Sequence, residues 1–124
     1  MTWSDHYLAT LGNVPDAIRQ LFDLDEDVAT AYTEIRKRAY APEGSGHLPI
    51  KYRELLFVVM DIEVGNYDGA MNHLTAGVRA GLTRTEFADA LVELLIVRGI
   101  STWGLVGHRL WDNSRELFEG QEND

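Results

Sequence analysis

The sequence predicts an all-α protein, and three observations carry that expectation. No stretch alternates polar and apolar residues with period two for long enough to make a strand. Apolar residues recur instead at three- and four-residue spacing, the repeat of one helical face. Proline and glycine fall between these periodic stretches, where they punctuate helices. The spacing predicts about six helices joined by short loops in a single domain spanning 1–124.

The elements follow in order. Pro15, tolerated in a first helical turn, opens a helix over about 15–23. Asp25 caps a second over about 26–39, whose apolar positions Val28, Ala31, Tyr32, Ile35 and Ala39 mark one face. The cluster 41–49 holds two prolines and two glycines and reads as a loop. From Ile50 to about Val64 the chain is apolar on most sides, the mark of a central helix. Gly65-Asn66 interrupts it, and the next helix runs over about 67–80 to Gly81, a residue suited to the left-handed position after a helix. Thr83-x-x-Glu86 is a capping box that opens a helix to about Arg98. Gly99 breaks that helix, and a last one covers about 101–118, with Ser101-Thr102 as its expected cap.

Composition narrows the function classes. A chain of 124 residues, 45% hydrophobic and 25% charged, is ordinary for one globular domain and argues against disorder. No run of 18 apolar residues suggests a membrane span. Residues 1–6 lack the basic leader and apolar core of a secretory signal, so the cytoplasm is the expected compartment. The sequence has no cysteine, which removes disulfides, Cys-zinc sites and thiol redox chemistry. With 11 basic and 20 acidic residues, the net charge of −9 repels phosphate backbones and makes nucleic acid an unexpected partner. Residues 116–124 carry several of these negatives and are expected to fray. No internal repeat or low-complexity tract is present.

Four histidines are candidates for chemistry. His6, near the terminus, and His47, in the loop, read as surface residues. His73 sits among Ala70, Leu74 and Gly77, small or apolar neighbours that suggest room for a ligand. His108 lies between Leu105 and Trp111. Each of these two fits either a satisfied structural residue or a proton carrier, since histidine titrates in the physiological range. The apolar helix carries Glu54 and, seven residues or two turns along one face, Asp61. Such carboxylates are either general acids or bases raised by burial or partners in structural ion pairs. No metal site reads from the sequence. Asp112 follows His108 by four residues, but nothing answers four after His73. Phosphate loops, nucleophile elbows and EF-hand loops are missing.

The central helices resemble a known family. Arg53-Glu54-Leu55-Leu56-Phe57-Val58-Val59, then Met71-Asn72-His73-Leu74-Thr75-Ala76-Gly77, then Ala80-Gly81-Leu82-Thr83-Arg84-Thr85-Glu86 is similar to the carboxymuconolactone decarboxylase family, whose relatives include the alkylhydroperoxidase AhpD. Val14-Pro15-Asp16 and Asp27-Val28-Ala29-Thr30-Ala31-Tyr32 match a pattern of its small members. The resemblance implies an all-α fold with a central antiparallel helix hairpin, assembly as trimers or hexamers, and an active site near a subunit boundary. The peroxidase branch places Cys-x-x-Cys where this chain has Asn66-Tyr67-Asp68-Gly69. Peroxidase activity is therefore not expected. Retention of Glu54 and His73 without cysteine resembles the decarboxylase branch, which uses no cofactor.

The function expected from this resemblance is cofactor-independent decarboxylation, or a related proton transfer, on a small organic acid of the aromatic-pathway or lactone kind. His73 is the first candidate proton donor and His108 the second, and Glu54 would orient or tune a histidine. Arg53 and Arg98 are candidates to grip a substrate carboxylate. Tyr67 and Trp103 complete the candidate substrate-binding set. The apolar load of the 50–64 helix, with Trp103 and Trp111, adds surface to hide and so predicts a homo-oligomer. A non-catalytic oligomeric binding protein or accessory subunit that keeps the fold is the alternative. Glu54 and His73, nineteen residues apart on consecutive helices, are expected to be neighbours.

Overall fold

The computed structural model describes residues 3–40 and 48–121, and His47 lies outside them. The described residues form helices and connecting turns, with no strand among them. The chain divides into two compact units, residues 1–50 and 51–124.

The first unit holds α1 (Ser4–Leu11), α2 (Asp16–Leu24) and α3 (Glu26–Ala39). The sequence reading starts its helices at Pro15; α1 is an addition. It buries Tyr7 and Leu11, four residues apart on one face. Pro15 is the cap of α2 rather than its first residue. Asp25 caps α3 as expected, its carboxylate accepting from the Val28 amide at 3.1 Å.

The buried face of α3 corrects the expectation. Ala29, Thr33 and Arg36 are buried, while Val28, Tyr32 and Ile35 are exposed. Polar groups win because each finds a partner. The hydroxyls of Thr33 and Tyr7 lie 2.8 Å apart. Arg36 donates to Thr10 Oγ1 at 2.7 Å and His6 Nε2 at 2.9 Å, and its guanidinium lies over the rings of Tyr7 and Tyr40. Buried polar groups are tolerated when so satisfied.

His6 is thus no plain surface residue. Burial lowers its pKa from the ordinary histidine value, and the charges of Arg36 and Lys37 lower it further. Because Arg36 can only donate, His6 must offer a neutral Nε2 lone pair. On acidification the unfolded chain takes up the proton first, near pH 6.5. Stability is therefore complete above about pH 6.5 and falls as pH drops through the lower folded-state value. Protection of α1 and α3 amides, taken relative to the intrinsic exchange rate at each pH, should fall over that window. His6→Gln, which still accepts from Arg36 and does not titrate, should flatten the dependence.

The second unit contains α4 (Ile50–Glu63) from its second residue onward, α5 (Tyr67–Arg79) and α6 (Arg84–Arg98). A segmented C-terminal stretch follows. Val58 and Ile62 of α4, Leu74 of α5 and Phe87 of α6 are buried in its core. Gly81, at φ +100°, ends α5: its own amide and that of Leu82 return to the Val78 and Gly77 carbonyls, a Schellman closure. The capping box of α6 is complete, with Glu86 N to Thr83 Oγ1 at 3.1 Å and Thr83 N to Glu86 Oε1 at 3.0 Å.

Gly77 is the contact point of α4 and α5. A Cβ there would lie 3.3 Å from Glu54 Cβ and 3.2 Å from Leu82 Cδ2. Alanine would gain helix propensity of about 1 kcal/mol but must push apart two fully buried residues. Overpacking costs about 1–3 kcal/mol, so Gly77→Ala should lower the denaturant midpoint rather than raise it.

The expected single helix over 101–118 is broken into four pieces. They are α7 (Ile100–Thr102), a π turn (Trp103–Gly107), α8 (His108–Asn113) and a 3₁₀ turn (Arg115–Phe118). Gly104 and Gly107 weaken α-helical spacing here. A Cβ on Gly107 would lie 3.2 Å from Trp103 Cε3, so its absence lets the indole lie against the backbone. Thr102 does not cap this stretch; its hydroxyl donates to the Gly99 carbonyl. Nor does the chain fray at residue 116: Phe118 is buried, and Gln121 Nε2 donates to the Leu82 carbonyl at 2.7 Å.

Candidate functional site

The site forms where α4 and α5 run antiparallel. Glu54, early in α4, meets His73 and Gly77 late in α5. Asp61, late in α4, meets Asn66 and Gly69 at the start of α5. His73 Nδ1 lies 3.0 Å from Glu54 Oε2, so the ring donates its Nδ1 proton to the carboxylate. The Glu54 side chain is 0% exposed and that of His73 is 16% exposed. His73 Nε2 points the other way, 3.9 Å from Asp61 Oδ2, and Asp61 is 23% exposed. The Phe57 ring packs at 4.7 Å from the imidazole.

One imidazole is therefore flanked by two carboxylates of α4 that differ in access to water. Glu54 is sealed and fixes the tautomer, as second carboxylates fix ligand or catalytic histidines. Asp61 stands at the open side. Burial raises its pKa from the ordinary carboxylate value, against the lowering by the His73 charge and the Asn66 hydrogen bond. Room for a ligand beside Gly77 is not found, since Glu54 and Leu82 fill that space.

The other candidates lie elsewhere in the second unit. Tyr67 receives a hydrogen bond from Asn113 at 3.0 Å and lies under the Arg109 guanidinium. Trp103 and Trp111 wall an apolar cavity of about 280 Å³ with Leu91, Leu95 and Ile100. His108 is exposed on α8, and its ring lies 6.4 Å from Trp103; it makes no described hydrogen bond or ring contact with His73. Arg53 is half-buried one residue before Glu54, and Arg98 is exposed at the end of α6. No cluster of three metal-ligating side chains occurs among the described residues, and no helix among them is long and apolar enough to cross a membrane.

Asp61 is the residue whose place beside His73 the sequence reading lacks. Its two-turn spacing from Glu54 was visible; the opening at Gly69 that admits it to His73 was not.

The fold and site define an all-α protein with a carboxylate–imidazole pair set between two antiparallel helices. No protein-family model and no curated protein matches the sequence. Among solved structures, a candidate carboxymuconolactone decarboxylase from Burkholderia xenovorans superposes with a TM-score of 0.84 and 28% identity, over 97% of this chain and 93% of that one. The chain thus shares the all-α fold of that carboxymuconolactone decarboxylase-like structure.

Proposed function

We propose that the chain is a cofactor-independent carboxy-lyase, or a closely related proton-transfer enzyme, acting on a small organic acid of the aromatic-pathway or lactone kind. The observation that supports this reading is the His73–Glu54 hydrogen bond at 3.0 Å, which leaves Nε2 directed away from the sealed carboxylate. Carbon dioxide leaves with its bonding electrons returned to carbon, and an adjacent carbonyl or unsaturated lactone spreads them as an enolate. His73 then gives its Nε2 proton to that carbon, while Glu54 holds the ring and balances the imidazolium charge. The net change consumes one proton for each carbon dioxide released. Arg53, Arg98, Tyr67, Trp103 and His108 are carried as candidates for substrate contact, His108 also as a second proton donor. A screen of aromatic and muconolactone-type acids for carbon dioxide release tests the reading; no release and no substrate proton exchange with any of them would end it.

The exposed apolar side chains Leu56 and Met60 of α4 and Val64 in the turn after it, with Ile96 and Val97 of α6, support assembly of several copies, as a trimer or hexamer. A strict monomer at micromolar concentration would rule this out. The alternative, a binding protein without turnover, is favoured by the 280 Å³ cavity, which Trp103, Trp111 and aliphatic side chains line without a titratable group. Saturable binding of naphthalene there, unaffected by His73→Asn and accompanied by no turnover, would favour it.

A further inference from the structure

We infer that Asp61 is the proton relay of His73, the group through which Nε2 exchanges its proton with water. The inference rests on the reading of His73 as a proton carrier and adds a third member to the pair.

Geometry carries it. The imidazole has two nitrogens, and Glu54 occupies the first at 3.0 Å. The second faces Asp61 Oδ2 at 3.9 Å, a gap that a small side-chain rotation closes to hydrogen-bonding distance. Neighbouring residues hold Asp61 in this orientation. Asn66 Nδ2 donates to Oδ1 at 3.4 Å, which leaves Oδ2 toward the ring. Asn66 itself is fixed by the Gly69 amide, which donates to its Oδ1 at 3.0 Å. Gly69 supplies the space for both side chains, since a Cβ there would clash with Asn66 Nδ2 and would lie 2.7 Å from Asp61 Oδ2. Any larger residue at 69 forces a shift of Asn66 and of the carboxylate that it holds beside His73.

Access divides the labour of the two acids. Glu54, fully sealed, cannot trade protons with solvent without opening the helix pair. Asp61 is partly open and can. When His73 has given up its Nε2 proton, a protonated Asp61 donates to Nε2, and water reprotonates the aspartate. Burial raises the Asp61 pKa, which increases the share of the protonated form. The charged or titratable group described facing this carboxyl is His73; Asn66 is neutral.

Nitrogen-15 NMR of the ligand-free protein tests this without requiring turnover. Exchange of the His73 Nε2 proton with water should slow at least tenfold in Asp61→Asn, and added formate should restore it in Asp61→Ala. Gly69→Ala should slow it as well. Unchanged exchange in Asp61→Asn, or slowing that formate leaves unaltered in Asp61→Ala, overturns the inference. A wild-type protein that releases no carbon dioxide yet shows the formate-sensitive exchange would instead overturn the proposed reaction and leave the relay standing.

Discussion

His73→Ala should lower turnover about 10²–10⁴-fold, the usual contribution of one general acid or base. The loss belongs to the chemical step, because the imidazole supplies the proton rather than the bulk of substrate binding. The same variant should also cost stability. Glu54 is sealed, and removing the imidazole takes a donor from a buried carboxylate, a loss of about 1–3 kcal/mol. His73→Asn separates the two effects. Its amide can still donate toward Glu54 but has no titratable nitrogen, so stability should recover while turnover stays low. Steady-state kinetics and denaturant unfolding on the two variants check this. Wild-type turnover in His73→Asn would move the proton donor elsewhere, with His108 next in line. His108→Ala should reduce turnover less, since that ring is exposed and unbonded to the pair.

Glu54→Ala should be the most destabilising change in the site. It empties a fully buried volume beside Gly77 and leaves Nδ1 of His73 without its acceptor. A cavity of this kind together with an unsatisfied donor costs about 2–5 kcal/mol. That is a large part of the 5–15 kcal/mol typical of a whole domain. Glu54→Gln keeps the shape and an acceptor oxygen, so most of the stability should return. Its turnover should remain depressed, because a neutral amide does not balance the charge of an imidazolium. Equal kinetics for Glu54→Gln and wild type would reduce Glu54 to a structural residue.

Much of the fold was legible because its signals are local. The Asp25 cap, the Thr83–Glu86 box and Gly81 each act through hydrogen bonds within a few residues, and the structure shows all three. The Glu54–His73 contact followed from the family resemblance and from helix rise across a short turn. What the sequence hid depends on partners far along the chain. The buried face of α3 is polar because Tyr7, some 26 residues earlier, meets Thr33, and an apolar-periodicity rule selects the opposite face. His6 shows the same limit, since its partner Arg36 is 30 residues away. The π turn was invisible for another reason: Gly104 and Gly107 permit it, but glycine alone does not say which irregular turn forms.

That π turn leaves a record of one surplus residue. An α-helix advances about 100° per residue, and a turn closed over five residues rather than four carries one residue more than the regular ladder uses. Gly104, with no heavy atom within 4 Å of the position its Cβ would take, is the residue that could be lost with the least direct contact disturbed. Its deletion would restore regular winding. It would also turn α8 by about a quarter of a circle relative to α6, so that Leu110 could not keep its place in the core while Phe118 stays stacked on Phe87. The stretch is thus a phase shifter. The irregularity sets which side of the C-terminal segment faces the core and which carries His108 outward.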